Sequence, residues 1–167
     1  KIKGSYGLTG NDNIGGKRYM YNEDYISQGN YYLGTANTRT QSIGEGQIAN
    51  TDVTWEKQKQ FNIGIDATLF KNIDFAFDYF HQYRFDILAQ PLRLIPALTG
   101  VSLPDLNIGE VKNSGFEGMI RYNSGSSNSF QYFLQLNLWH SNNKIIENSE
   151  ALQLYDYLYR TGRPIDQ

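Results

Sequence analysis

From Trp55 to Leu88 apolar and polar residues alternate almost without interruption. Trp55, Phe61, Ile63, Ile65, Ala67 and Leu69 fall on one face, together with Lys57 and Lys59. Glu56, Gln58, Gln60, Asn62, Gly64, Asp66 and Thr68 fall on the other. After Lys71-Asn72 the alternation resumes, with Ile73, Phe75, Phe77, Tyr79, His81, Tyr83, Phe85 and Ile87 opposed to Asp74, Ala76, Asp78, Phe80, Gln82, Arg84 and Asp86. A period of two sustained this long predicts two long antiparallel strands joined by a tight turn.

The length of these strands narrows the kind of sheet. A membrane-crossing strand needs roughly 9–11 residues at a tilt near 45°. Phe61 to Leu69 meets that length. At ~3.3 Å per residue and that tilt it covers about 20 Å of depth. A membrane barrel carries an apolar band ~25 Å tall between two aromatic girdles. Phe70, Phe75 and Tyr122 are candidates for one girdle, and Trp55, Tyr83 and Phe85 for the other. The alternative is a long hairpin in a soluble sandwich or barrel.

The rest of the chain continues the pattern in pieces. Strands are expected at about 1–9, 53–70, 73–88, 110–122 and 129–141. The stretch 11–52 is rich in Gly, Asn, Thr and Tyr and reads as a long loop, with a short hairpin at Asp24 to Leu33. The stretch 89–106 carries Pro91, Pro96, Gly100 and Pro104 and reads as a second long loop. From Asn142 the pattern lapses, and Leu152 to Tyr159 reads as a short helix or the start of a further strand. The connections therefore run long, short, long, short. A membrane barrel has this alternation because its turns are short on one side and its loops long on the other. The fold class expected is all-β: an antiparallel meander of long strands, a partial segment of a transmembrane β-barrel. About five strands cannot close such a barrel, since bacterial ones start at about eight.

Composition agrees and excludes other classes. Aromatics make up 14% of the 167 residues, with Tyr at 13 and Phe at 9, which suits half-buried strands. No apolar run approaches the ~20 residues of a membrane helix. Cysteine is absent, so neither disulfides nor thiol chemistry is expected. A net charge of -2 argues against a nucleic-acid partner. Lys1 to Gly4 already fit a strand pattern, which suggests a piece of a longer chain.

Three phrases stand out: SYGLTGNDNIG at 5–15, WEKQKQFNIGIDATLF at 55–70, and NIGEVKNSGFEGMI at 107–120. They resemble phrases of the SusC/RagA family of TonB-dependent outer-membrane transporters of Bacteroidetes. NNKI at 142–145 and GRPI at 162–165 follow in the same order and spacing. The resemblance implies a fragment, residues 1–167, of one TonB-dependent receptor β-barrel domain in the cell outer membrane, from the C-terminal half of the barrel. It implies a nutrient transporter importing glycans or peptides with a SusD-like surface lipoprotein. It also implies coupling to the TonB complex through an N-terminal part and plug that have no counterpart in these residues. The alternative is a soluble all-β binding or adhesin module, which would need a second layer to cover its apolar face.

No catalytic constellation is expected, and no enzyme. His81 and His140 both fall on apolar faces, which is poor ground for a metal pair, and no cofactor is implied. Asp66, Asp78, Arg84, Asp86, Glu117 and Arg121 are expected to line a wet lumen or face a plug. Trp139 is expected to point inward, where sugar rings could stack or a plug could pack. Tyr31 and Tyr32, with Tyr19, Tyr21 and Tyr25, form a second candidate substrate or lid surface in the first loop. Lys57 and Lys59 interrupt the apolar face beyond Phe61, where phosphates of outer-membrane lipid are expected.

Overall fold

A computed structural model describes residues 1–12, 18–93, 103–124 and 130–165. Five strands, β1 (Ile2–Asn11), β4 (Glu56–Leu69), β5 (Ile73–Ala89), β6 (Leu106–Asn123) and β7 (Phe133–Glu147), form one antiparallel sheet in that order. A separate hairpin, β2 (Tyr25–Leu33) with β3 (Thr38–Glu45), is inserted between β1 and β4.

The register keeps the two faces apart. Tyr6, Phe61, His81 and Ser114 stand opposite one another across four strands. So do Ile2, Ile65, Phe77, Gly118 and Leu138 across all five. Residues directly opposite share a face, so the odd positions of β4 and β5 build one apolar surface, as the alternation predicts. Nothing among the described residues covers it. Phe61, Ile63 and Ile65 remain 42–45% exposed, and Ile145 is the only buried hydrophobic residue described. The accessible surface is 12850 Å². A compact monomer of 19.1 kDa would show about 8,400 Å². Such a sheet has no core of its own. What holds it together is the backbone ladder and cross-strand pairs.

The β4–β5 turn is as short as expected but chemically unusual. Phe70 and Lys71 both take left-handed φ, 52° and 64°, and the Asn72 N–H donates to the Leu69 carbonyl at 3.2 Å. This is the primed turn that matches strand twist, normally built from Asn and Gly. Asn72 also ties the turn to β6: its carbonyl accepts from the Asn123 N–H at 2.8 Å, and its amide donates to the Asn123 carbonyl at 3.1 Å. Phe70 thus stands in the turn, 88% exposed, rather than on a strand face.

Three expectations need correction. The odd-even rule fails at Ile87. Asp86 takes φ 58° and bulges β5, so Ile87 pairs with Gly109 on the polar face beside Val111. β7 does not lapse at Asn142 but pairs with β6 as far as Glu147, and β6 begins at Leu106. The first loop holds a hairpin running from Tyr25 to Glu45, twice the expected extent. The hairpin has a physical reason for going unread: nearly all its residues are exposed on both faces, and alternation is imprinted only where one face is buried. Residues 152–159 make neither a full helix nor a strand, only a single turn at Asp156–Leu158. The chain then returns to the outer edge of β7, where the Gly162 N–H donates to the Ile145 carbonyl and the Ile145 N–H to Arg163.

Candidate functional site

On the polar face the pairing brings Lys3, Gly64, Asp78, Glu117 and Trp139 into one cross-strand row. Lys3 Nζ lies 2.9 Å from Asp66 Oδ1 and 3.0 Å from Asp78 Oδ2. It reaches Asp78 from two strands away because Gly64 stands between them. A Cβ there would collide with the Asp78 carboxylate and the Lys3 chain. Asp78 and Glu117 are directly opposite, a like-charge pair that a sheet tolerates poorly without a nearby cation. Lys3 supplies that cation on the Asp78 side.

Beside this pair the sheet forms a hollow of about 360 Å³, lined by Ala76, Asp78, Glu117, Met119, Asn137 and Trp139. Trp139 is 76% exposed at its edge. Carboxylates, an amide and an open indole face can accept hydrogen bonds from hydroxyls or amides and stack on a flat ring. No group of three or more His, Cys, Asp or Glu among the described residues is placed to hold a metal ion.

Of the expected polar-face residues, Asp66, Asp78 and Glu117 come together with Trp139. Arg84 lies nearer the long-loop end, with Nε 2.8 Å from Gln58 Oε1 and Nη1 3.7 Å from Glu56. Arg121 lies near the turn end, donating to Asn123 Oδ1 at 3.1 Å with its guanidinium 4.6 Å from the Phe133 ring centre. Asp86 departs from its expected place. The bulge turns its carboxylate to Lys57, 2.8 Å away, and Lys57 belongs to the apolar face beside Phe85. Tyr31 and Tyr32 are adjacent in β2 and so project from opposite faces of the hairpin, Tyr31 opposite Thr40 and Tyr32 opposite Arg39.

The apolar face ends in aromatics at both levels. At the long-loop end Tyr83 stacks on Phe85 at 5.6 Å and donates its hydroxyl to Glu110 at 2.6 Å, while Trp55 lies against Gly10. At the turn end Tyr122 meets Tyr132 at 6.1 Å, and Tyr132 meets Phe130 at 6.0 Å; Phe75 lies one row inside, opposite Ala67 and Ile120. Sequence reasoning puts Phe130 and Tyr132 on the apolar face of the last strand without assigning them to a girdle, and gives Lys3 and Gly64 no site role. The two aromatics continue the β7 alternation and were readable. Lys3 and Gly64 act through pairing of distant segments and were not.

The base of the hairpin is latched to the sheet. The Asn50 amide donates to the Asp105 carbonyl at 2.8 Å, and the Asn107 amide donates to the carbonyls of Asp86 at 2.7 Å and Thr54 at 2.8 Å. On the hairpin, the Tyr25 hydroxyl donates to Glu23 at 3.1 Å, which raises its pKa.

A two-faced antiparallel sheet of long strands, apolar and uncovered on one side, belted by aromatics and joined by alternating short turns and long connections, is a partial segment of a transmembrane β-barrel. No helix among the described residues is long and apolar enough to cross a membrane, which does not bear on strands.

Comparison with known proteins agrees. No protein-family model matches the chain. It is 29% identical over 156 residues, 93% of its length, to TonB-dependent receptor P3 of Formosa agariphila. It is 29% identical over 168 residues, 99% of its length, to TonB-dependent receptor P39 of the same organism. It spans 15% of the length of each. Its fold is found in the RagAB peptide importer, with a TM-score of 0.73 to the open-open state and 0.70 to the closed-closed state. Identity there is 22% and 23%, covering 98% of this chain and 18% of the matched chain. The similarity to TonB-dependent receptors therefore runs along nearly the whole chain, and the fold is one found in the RagAB importer.

Proposed function

We propose that this chain is part of the barrel wall of an outer-membrane TonB-dependent nutrient transporter, SusC-like, that imports glycans or peptides. Residues 1–167 would be one stretch of a single barrel domain. The rest of the barrel, the plug and the contact to the TonB complex would lie elsewhere in the longer protein. The observation that carries this reading is the uncovered apolar face continuous across five strands, supported by similarity along 99% of the chain to 15% of a receptor. A soluble binding or adhesin module would bury that face under a second layer. The only other sheet among the described residues is the β2–β3 hairpin, and the face stays open.

In this reading the polar face lines the lumen. Asp78, Glu117 and Trp139 would meet substrate or plug, and no catalytic role is assigned to them. The hairpin would face outside and meet a SusD-like lipoprotein; the loop expected at 89–106 to do the same lies in part, at 94–102, outside the described residues. The hairpin's exposed Tyr25, Tyr31, Tyr32 and Ile43 are the kind of aromatic and aliphatic anchors that dominate interfaces. Outer-membrane lipid would cover the apolar face.

Shortening 25–45 and 90–105 in the full-length receptor tests the lid contact. Loss of lipoprotein co-purification with intact barrel assembly is expected. Retained co-purification after both deletions overturns it. Uptake of labelled oligosaccharides against labelled oligopeptides separates the two substrate classes.

A further inference from the structure

On the apolar face, one row beyond Phe61, the pairing sets Leu8, Lys59, Tyr83, Lys112 and Lys144 directly across five neighbouring strands. Lys112 and Lys144 are immediate neighbours, with backbones ~4.8 Å apart. Like charges so placed destabilise a sheet unless something anionic lies between them. The protein supplies little. Asp86 is held by Lys57, and Glu110 takes the Tyr83 hydroxyl. Glu147 accepts the N–H groups of Asn148 and Ser149 and lies 3.5 Å from Arg93. Among the described residues, Lys59, Lys112 and Lys144 have no carboxylate within ion-pair distance, and all three are exposed. Lys59 instead stands 5.1 Å from the Phe85 ring centre.

We infer that this row binds the phosphate groups of a phosphorylated outer-leaflet glycolipid. The position selects the ligand. The row directly below the lysines holds Phe61, His81, Ser114 and Asn142, and the next holds Ile63, Tyr79, Phe116 and His140, so the lysines stand at the margin of the apolar face, where an anion attached to acyl chains meets them. They lie at the end of the sheet where the long connections leave, away from the Phe70–Asn72 turn. On β4 the lysine adjoins the last apolar residue, Phe61. On β7 Lys144 stands four residues beyond His140, past Asn142. The row therefore climbs away from the band from Lys59 to Lys144, a spread suited to several phosphates on one head group rather than to one small ion. Tyr83, in mid-row, adds the amphipathic ring typical of a membrane interface. The inference rests on the barrel reading above.

The test uses the full-length receptor extracted from outer membranes. Co-purifying lipid phosphorus is measured for the native protein, for the triple variant Lys59→Gln, Lys112→Gln, Lys144→Gln, and for the same three positions changed to Arg. Binding to vesicles containing lipopolysaccharide, intact or enzymatically dephosphorylated, is measured in parallel. The Gln variant is expected to lose affinity roughly fivefold per lysine at low salt, with the Arg variant and Lys71→Gln close to native. Dephosphorylated lipid is expected to bind like the Gln variant. Unchanged lipid phosphorus in a correctly assembled Gln variant overturns the inference. Full displacement by millimolar inorganic phosphate overturns the lipid source in favour of a free anion. A native receptor that does not fractionate with the outer membrane overturns the barrel reading itself.

Discussion

Lys57 and Asp86 meet across β4 and β5, Nζ to Oδ2 at 2.8 Å, and they do so only because Asp86 adopts a left-handed backbone. The same bulge sends Ile87 to the polar face and offers the Asp86 carbonyl to the Asn107 amide. One residue therefore ends the apolar face, pairs a lysine at its rim and anchors β6.

Two substitutions at Asp86 separate backbone from charge. Asp86→Asn keeps a residue that tolerates positive φ and loses a half-buried ion pair that water still reaches, so a change of about 1 kcal/mol is expected. Asp86→Val places a β-branched residue at φ 58° and is expected to cost a further ~1–2 kcal/mol. Urea unfolding of the full-length receptor in vesicles measures both. Equal effects would show that the backbone conformation is incidental.

Gly64 leaves room for Lys3 to reach Asp78. Gly64→Val is expected to assemble normally, since a β-branched residue suits a strand, but to break that ion pair. Asp78→Asn should then have no additional effect on the melting temperature in the Val background, while it lowers it in the native one. Additive effects across the cycle would rule out the Gly64 opening as the cause.

Depth along the apolar face is testable with one chemistry. Ile65 lies in the central row with Ile2 and Phe77, and Leu69 lies beside the turn. Ile65→Arg is expected to destabilise the membrane-inserted receptor by ~2–4 kcal/mol, and Leu69→Arg by ~0–1 kcal/mol. Equal costs would contradict a bilayer against this face.

Glu150 governs the segment that returns to β7. Partial burial alone would raise its pKa, but the N–H groups of Arg160 and Thr161 and the Thr161 hydroxyl outweigh it and hold the carboxyl below its usual 4.5. A lowered folded-state pKa contributes stability that is complete above the unfolded value and is lost as pH falls through the folded one. Amide protection at Arg160 and Thr161 should therefore be constant from about pH 7 to about pH 5 and fall below about pH 4. Glu150→Gln should reduce protection already at neutral pH. Protection that is independent of pH would exclude the carboxylate as its source.

The sequence by itself determined the class of this protein. Apolar surroundings on one side and water on the other imprint a period of two, so the two faces and a short turn close to Lys71 were legible from residue order. Where both sides are wet the imprint vanishes, which is why the extent of β2–β3 stayed hidden, whereas the outer part of β7 is covered at Ile145 by the returning segment, a contact between distant residues. Asp86 and Ile87 looked regular because a bulge is a backbone event that leaves alternation intact in the text of the chain. Only the tertiary structure decided which distant residues share a row: Lys3 with Asp78 and Trp139 on one face, Lys59 with Lys112 and Lys144 on the other. Register between strands is set by the hydrogen-bond ladder and the turns that start it, and residues brought opposite each other by it need carry no local mark of the meeting.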